Sequence, residues 1–187
     1  MRVNLMGCGS VGSQLIAQLI NIIDIDELHL YDKDIIEPRN VAHRIRLKQS
    51  IGRKKVETLR DYLVGNFDRI KPQSIILHHG DILKLSKDFI PSGLMIDCLD
   101  NPEARKFTTQ FDAIHVGFNP LPTGLVHWNE GYQIPENNYN QDPCDKQELY
   151  VFISFLASVA CMSIYDFVTK GIKNNYIVDH NFVKKIL

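Results

Sequence analysis

Three glycines constrain the fold of this chain more than any other residues in it. Gly7, Gly9 and Gly12 fit the pattern G-x-G-x-x-G. They follow Arg2-Val3-Asn4-Leu5-Met6, which reads as a strand. They precede Leu15, Ile16, Leu19, Ile20 and Ile23, which recur at helical spacing. A second strand, Leu28-His29-Leu30-Tyr31, stops at Asp32. Strand, glycine loop, helix and strand make a βαβ unit, and its crossover is right-handed. Glycines there let the backbone turn tightly and approach a phosphate, and the helix N-terminus adds N–H groups and partial positive charge. Asp32, 20 residues past Gly12, suits ribose hydroxyls. By itself the unit specifies an adenine nucleotide or a dinucleotide, and a glycine turn without a ligand would use the same residues.

The pattern continues with a helix over 51–67, strands over 74–78, 93–99 and 112–116, and a short helix over 102–111 that begins at Pro102. The expected fold is therefore α/β: a Rossmann-like, mainly parallel sheet with helices on both faces. A C-terminal hairpin and a long apolar helix complete it. The hairpin is expected to pair 125–128 with 132–134 across Asn129-Glu130-Gly131. The long helix is expected over 150–168, and the tail from 171 to 187 is mixed. The 187 residues read as one domain, with a nucleotide-binding core over 1–117 and a completing segment over 118–187.

Lys and Arg number 21 and Asp and Glu 22, so the net charge is −1 and DNA is not an expected partner. The 150–168 segment carries one charge, Asp166, and is just long enough to span a bilayer. Its serines favour a helix buried in a core or a dimer interface, so no membrane is expected. None of Cys8, Cys98, Cys144 and Cys161 forms a C-x-x-C pair, so no zinc is expected. With no signal peptide apparent, the cysteines read as reduced thiols of a cytoplasmic protein.

The residues beyond Asp32 favour ATP over NAD. Asp34, Asn40, Arg44 and Lys55 come first, and Asp100-Asn101 then follows a strand, with Arg105 one helical turn on. A triphosphate needs such cations, and a carboxylate such as Asp100 can hold Mg²⁺.

At these positions the chain resembles the ThiF/MoeB/HesA family, the nucleotide-binding module shared with ubiquitin-activating enzymes. The matching pieces, over about residues 3–117, are Gly7-x-Gly9-x-x-Gly12, Asp32-x-Asp34, Asn40 with a following basic residue, Gly52-x-x-Lys55, and Asp100-Asn101 with Arg105. The resemblance implies ATP- and Mg²⁺-dependent adenylation of a carboxylate. The usual acceptor is the C-terminus of a ubiquitin-like or sulfur-carrier protein. It places the glycine loop of Gly7, Gly9 and Gly12 on the phosphates, Asp32 on the ribose, and Asn40 and Lys55 on the phosphate and transition-state side, with Ser10, Asp34 and Asn101 also among the nucleotide-binding residues. Arg44, Lys55 and Asp100 are the expected catalytic groups, with Asp100 on the metal. The family usually has Arg where this chain has His43, and Arg44 is preferred because its charge is permanent.

The chain lacks the family's zinc pairs and has no room for a catalytic-cysteine domain between Gly117 and Leu149. Cys144, in a polar loop before the long helix, is the expected thiol acceptor if there is one. His78 and His79 read as a strand-end surface pair, His115 as either a core or a nucleotide-facing residue, and Asp97 as a spare metal ligand. Arg105 is expected either to brace the Asp100 loop or to be solvated. The alternatives are an inactive partner subunit of a heteromeric activating enzyme, an NAD-binding oxidoreductase, and an adenylating enzyme for a small molecule or an RNA-attached carboxylate. A homodimer through the 150–168 helix is expected.

Overall fold

The computed structural model describes residues 1–40, 50–119, 121–135 and 149–186. Strands β1 (Arg2–Met6), β2 (Glu27–Tyr31), β3 (Ile75–His78), β4 (Leu94–Asp97), β5 (Ala113–Phe118), β6 (Thr123–Trp128), β7 (Asn175–Asp179) and β8 (Val183–Ile186) form one eight-stranded sheet. Its order is β3-β2-β1-β4-β5-β6-β7-β8, parallel from β3 to β5 and antiparallel from β5 to β8. The order reverses between β1 and β4, where sheets of this kind open a ligand crevice beyond the strands' C-terminal ends.

Side chains alternate across the sheet. Val3, Leu5, Leu28, Leu30, Leu94, Ile96, Ile114 and Val116 join the larger core, with helices α1 (Ser10–Leu19), α2 (Lys55–Asn66) and α4 (Leu149–Lys170). Met6, Tyr31, Met95 and Ala113 join Ile82, Ile90 and Ala104 in a smaller core beside α3 (Pro102–Thr108).

Two sequence expectations need correcting. The helix expected from 51 begins at Lys55, because Gly52 adopts φ +85° and residues 52–55 are tied to 34–36. Ile36 N donates to the Arg53 carbonyl, Gly52 N to that of Ile36 and Lys55 N to that of Asp34, at 2.8–3.0 Å. The expected 125–128/132–134 hairpin does not form. Tyr132 N bonds back to the Asn129 carbonyl and Gly131 takes φ +77°, so 129–132 closes as a tight turn without a return strand. The edge of β6 is taken instead by β7, about fifty residues later, and the C-terminal hairpin is β7–β8.

Helix α4 is long and apolar enough to cross a membrane by length and composition. Here it packs on α1 and the sheet, and half of its most apolar window is buried. Gln18 and Ser158 link the two helices, and Trp128 Nε1 donates to Ser163 Oγ at 2.9 Å. Val151, Phe155, Met162 and Tyr165 of α4 remain exposed along one face.

Candidate functional site

The glycine loop leaves β1 and enters α1 with little space around it. Gly7 has φ +92°, and a Cβ on it would lie 2.8 Å from the Cys98 carbonyl oxygen. A Cβ on Gly12 would lie 2.1 Å from the Gly7 carbonyl oxygen. Gly12 therefore lets the first turn of α1 press against the loop, and Gly9 caps that helix with its backbone alone. Ser10 opens the helix and is buried.

Beside the loop lies a cleft of about 260 Å³. Gly7, Gly9, Asp32, Asp34, Lys55, Asp100 and Asn101 all line it, so motifs from the ends of β1, β2 and β4 meet in one place. Asp32 is held by two backbone donors: Cys8 N on Oδ2 and Asp34 N on Oδ1, both at 2.8 Å. Burial pushes the Asp32 carboxyl above the usual carboxylate range, although Lys55 and the backbone N–H groups pull the other way. The Lys55 ammonium, on a side chain that is 8% exposed, pairs with the Asp34 carboxylate. A cation is thereby stored at the cleft wall. Asn101 caps α3, its Oδ1 accepting from Glu103 N at 2.8 Å and Ala104 N at 3.2 Å. Asp100 stands exposed just before this cap.

Several expected residues serve elsewhere. Asn40 is buried, and its Oδ1 closes a local turn on Glu37 N. Neither it nor Ser10 or Gly12 is among the residues lining the cleft. Arg44 and Cys144 lie outside the described residues. Arg105 is neither solvated nor on the Asp100 loop: it is buried, with Nη1 donating to the Tyr132 hydroxyl at 2.7 Å and Nη2 to the Val116 carbonyl. Asp97 does not fit a spare metal ligand, because it is fully buried and both its oxygens are engaged by Leu99 N, Thr108 and His115. His115 is a core residue. His78 is not a surface residue either. It is half-buried, hydrogen-bonded to His29 at 2.8 Å and stacked on Tyr31 at 4.2 Å, and burial lowers its pKa. Among the described residues no three His, Cys, Asp or Glu are grouped to hold a metal by themselves. Burial raises the Cys98 and Cys161 thiols, the latter to about 12, so neither is a ready nucleophile.

Sequence reasoning missed the apolar end of the cleft, formed by Tyr31, Ile82, Leu83, Leu99 and Ala104. The available signal was Gly80-Asp81 directly after β3, since every parallel strand delivers its following loop to the same end of the sheet.

The family model described as "ThiF family" matches residues 1–146. Among solved structures, E. coli MccB with ATP is similar at 16% identity and a TM-score of 0.74, covering 99% of this chain and 62% of that one. E. coli MccB with MccA-N7isoASN gives 15% and 0.73, with 99% and 63% covered. A structure of PaaA gives 15% and 0.68, also with 99% and 63% covered. The chain thus spans about three-fifths of the length of these structures. No curated protein sequence matches it. A family match over most of the chain, and a cleft where the motifs that suggested it converge, lead to one assignment: the chain belongs to the ThiF family.

Proposed function

We propose that this protein adenylates a carboxylate with ATP and releases pyrophosphate. The observation that carries the reading is the convergence of the glycine loop, Asp32, Lys55 and Asp100 on one cleft where the strand order reverses. The acceptor we assign is the C-terminal carboxylate of a peptide or of a small ubiquitin-like or sulfur-carrier protein. Support comes from structures of MccB with ATP and with MccA, whose fold this chain shares.

In the reaction an acceptor carboxylate oxygen attacks the α-phosphorus. The bond from that phosphorus to the α,β-bridging oxygen breaks, and pyrophosphate leaves with the electron pair. Glycine-loop N–H groups and the α1 N-terminus receive phosphate oxygens, while Asp32 takes the ribose hydroxyls. Lys55 moves from Asp34 to the phosphates, and Arg44 is assigned as a second cation. Asp100 fits Mg²⁺ as an exposed carboxylate lining the same cleft, since that ion would need only one or two carboxylates beside phosphates and water. When bound, the ion neutralises charge on the departing pyrophosphate.

ATP–pyrophosphate exchange with candidate acceptors tests the reading. Asp100→Ala should abolish exchange without altering the fold, and full activity in that variant would remove Asp100 from the metal role. ATP–Mg²⁺ at 100 Kd should stabilise the protein by about 2.7 kcal/mol. Stabilisation by NAD instead would overturn adenylation.

We also assign the exposed face of α4 to a homodimer. Val151, Phe155, Met162 and Tyr165 follow the three-, four- and seven-residue spacing with which one helix packs along another. Met162→Glu should convert the dimer to monomer in sedimentation, and a wild-type monomer at micromolar concentration would remove the assignment.

A further inference from the structure

Behind the Asp100 loop lies a buried polar network that the proposed chemistry does not use. Asp97, the last residue of β4, and His115, on the adjacent strand β5, are both 0% exposed. His115 Nδ1 lies 2.7 Å from Asp97 Oδ2. His115 Nε2 lies 3.0 Å from Asn129 Oδ1. The orientation of the Asn129 amide is determined by its Nδ2, which donates to the Thr109 carbonyl at 2.9 Å, so Oδ1 is the atom that faces the imidazole. Nε2 therefore carries a hydrogen. On the other side a proton lies between Nδ1 and the carboxylate, which makes the Asp97–His115 pair neutral as a unit and tolerable in a buried site. The Thr108 hydroxyl adds a contact to Asp97 Oδ2 at 2.7 Å. The Tyr132 ring stacks on His115 with centroids 3.8 Å apart, and its hydroxyl takes Arg105.

The remaining oxygen of Asp97 points along the chain. Oδ1 accepts from Leu99 N at 2.9 Å, one residue before Asp100. We infer that His115 is a positioning residue for Asp100: by locking the Asp97 carboxylate it fixes the Leu99 amide, and with it the direction in which the Asp100 side chain enters the cleft. The functional part of this role rests on the adenylation reading. The geometric part does not.

The full chain tests both parts. His115→Phe keeps a ring to stack on Tyr132 and loses both hydrogen bonds. Asn129→Ala removes the Nε2 partner, together with the bond to the Thr109 carbonyl, leaves the His115–Asp97 contact in place, and serves if His115→Phe does not fold. Amide hydrogen exchange at Leu99, followed by NMR, should accelerate by about five- to tenfold in either variant, the equivalent of one hydrogen bond, while the amides of Leu5 and Leu30 keep their protection. In pyrophosphate exchange, the Mg²⁺ concentration for half-maximal rate should rise by a similar factor while the KM for ATP stays within about twofold. Adding Asp97→Asn to His115→Phe should change neither readout further, because the two residues act through one path.

Unchanged protection at Leu99, an unchanged Mg²⁺ requirement, or additive effects in the double variant would each overturn the inference. If the wild-type protein supports no pyrophosphate exchange, the adenylation reading fails by itself, and protection at Leu99 still decides whether His115 positions the loop.

Discussion

Toward one face of the sheet, strands β1, β2, β4 and β5 present Val3, Leu5, Leu28, Leu30, Leu94, Ile96, Ile114 and Val116. Toward the other they present Asn4, Met6, His29, Tyr31, Met95, Asp97, Ala113 and His115, and these residues are buried as well. The first face is covered by α1, α2 and α4 and needs only volume and apolar area. The second also buries polar atoms, and several of their partners lie in loops or at strand ends, although Asn4 Oδ1 and the Tyr31 hydroxyl find none among the described residues. Asn4 Nδ2 donates to the Pro91 carbonyl, His29 contacts His78 at the end of β3, and Asp97 holds Leu99 N. The apolar face therefore stabilises the sheet, while the polar face also sets where its loops lie. Substitutions on the two faces should separate stability from function.

The largest expected effect on stability lies on the apolar side. Leu156 of α4 is fully buried and packs on Gly124 of β6, where an added Cβ would lie 2.7 Å from its Cδ1. Leu156→Ala should cost about 3–4 kcal/mol, the range for leucine truncation in a closely packed core. Chemical denaturation measures this, and titration with ATP should show affinity within about twofold of wild type at a temperature where the variant is folded. A much larger loss of ATP affinity would break the division between the faces.

Lys55→Met reverses the pattern. The buried Lys55 side chain gives up its pair with the half-exposed Asp34 carboxylate, and methionine fills the same space without a buried charge, so stability should move little. The exchange rate should fall by about a hundredfold, or roughly 3 kcal/mol, by analogy with the loss of one oxyanion donor. Steady-state exchange kinetics beside a melting curve separate the two quantities. A rate within threefold of wild type would mean that Lys55 is a structural partner of Asp34 and nothing more.

The parallel part of the fold was legible in the sequence because its signals are local. A strand, a glycine loop and a helix sit within twenty residues, and parallel strands deliver their loops to one end, so Gly7, Gly9, Asp32, Asp34, Lys55, Asp100 and Asn101 meet where their motifs implied. The antiparallel part was not legible. The pairing of β6 with β7 joins segments about fifty residues apart, and Asn129-Glu130-Gly131 offers a turn whether or not a strand returns from it. The polar face was also hidden. Asp97 reads from the sequence as a spare metal ligand and His115 as either a core or a nucleotide-facing residue, and only the neighbouring strand shows that the two face each other inside the protein.

The smallest expected change in stability concerns Asp32, where the requirements of folding and of binding oppose each other. Burial raises its carboxyl above the usual range, with Lys55 and the N–H groups of Cys8 and Asp34 only partly offsetting that cost. A carboxyl raised in the folded state contributes stability at pH below its unfolded value, near 4, and that contribution is lost as pH rises through the folded value. At neutral pH the ionised Asp32 is therefore a net cost to the ligand-free protein. Asp32→Asn keeps an acceptor for one of the two backbone donors and removes the buried charge. The ligand-free variant should melt at the wild-type temperature or slightly above it at pH 7, and the advantage should disappear as the pH is lowered toward 4. ATP affinity should drop by about tenfold or more, because a neutral amide replaces a charged acceptor for the ribose hydroxyls. Melting curves from pH 4 to 8, with and without ATP, check both halves. A variant markedly less stable than wild type at pH 7 would show that the hydrogen bonds from Cys8 and Asp34 outweigh burial, making Asp32 a brace of the glycine loop before it is a ligand for the sugar.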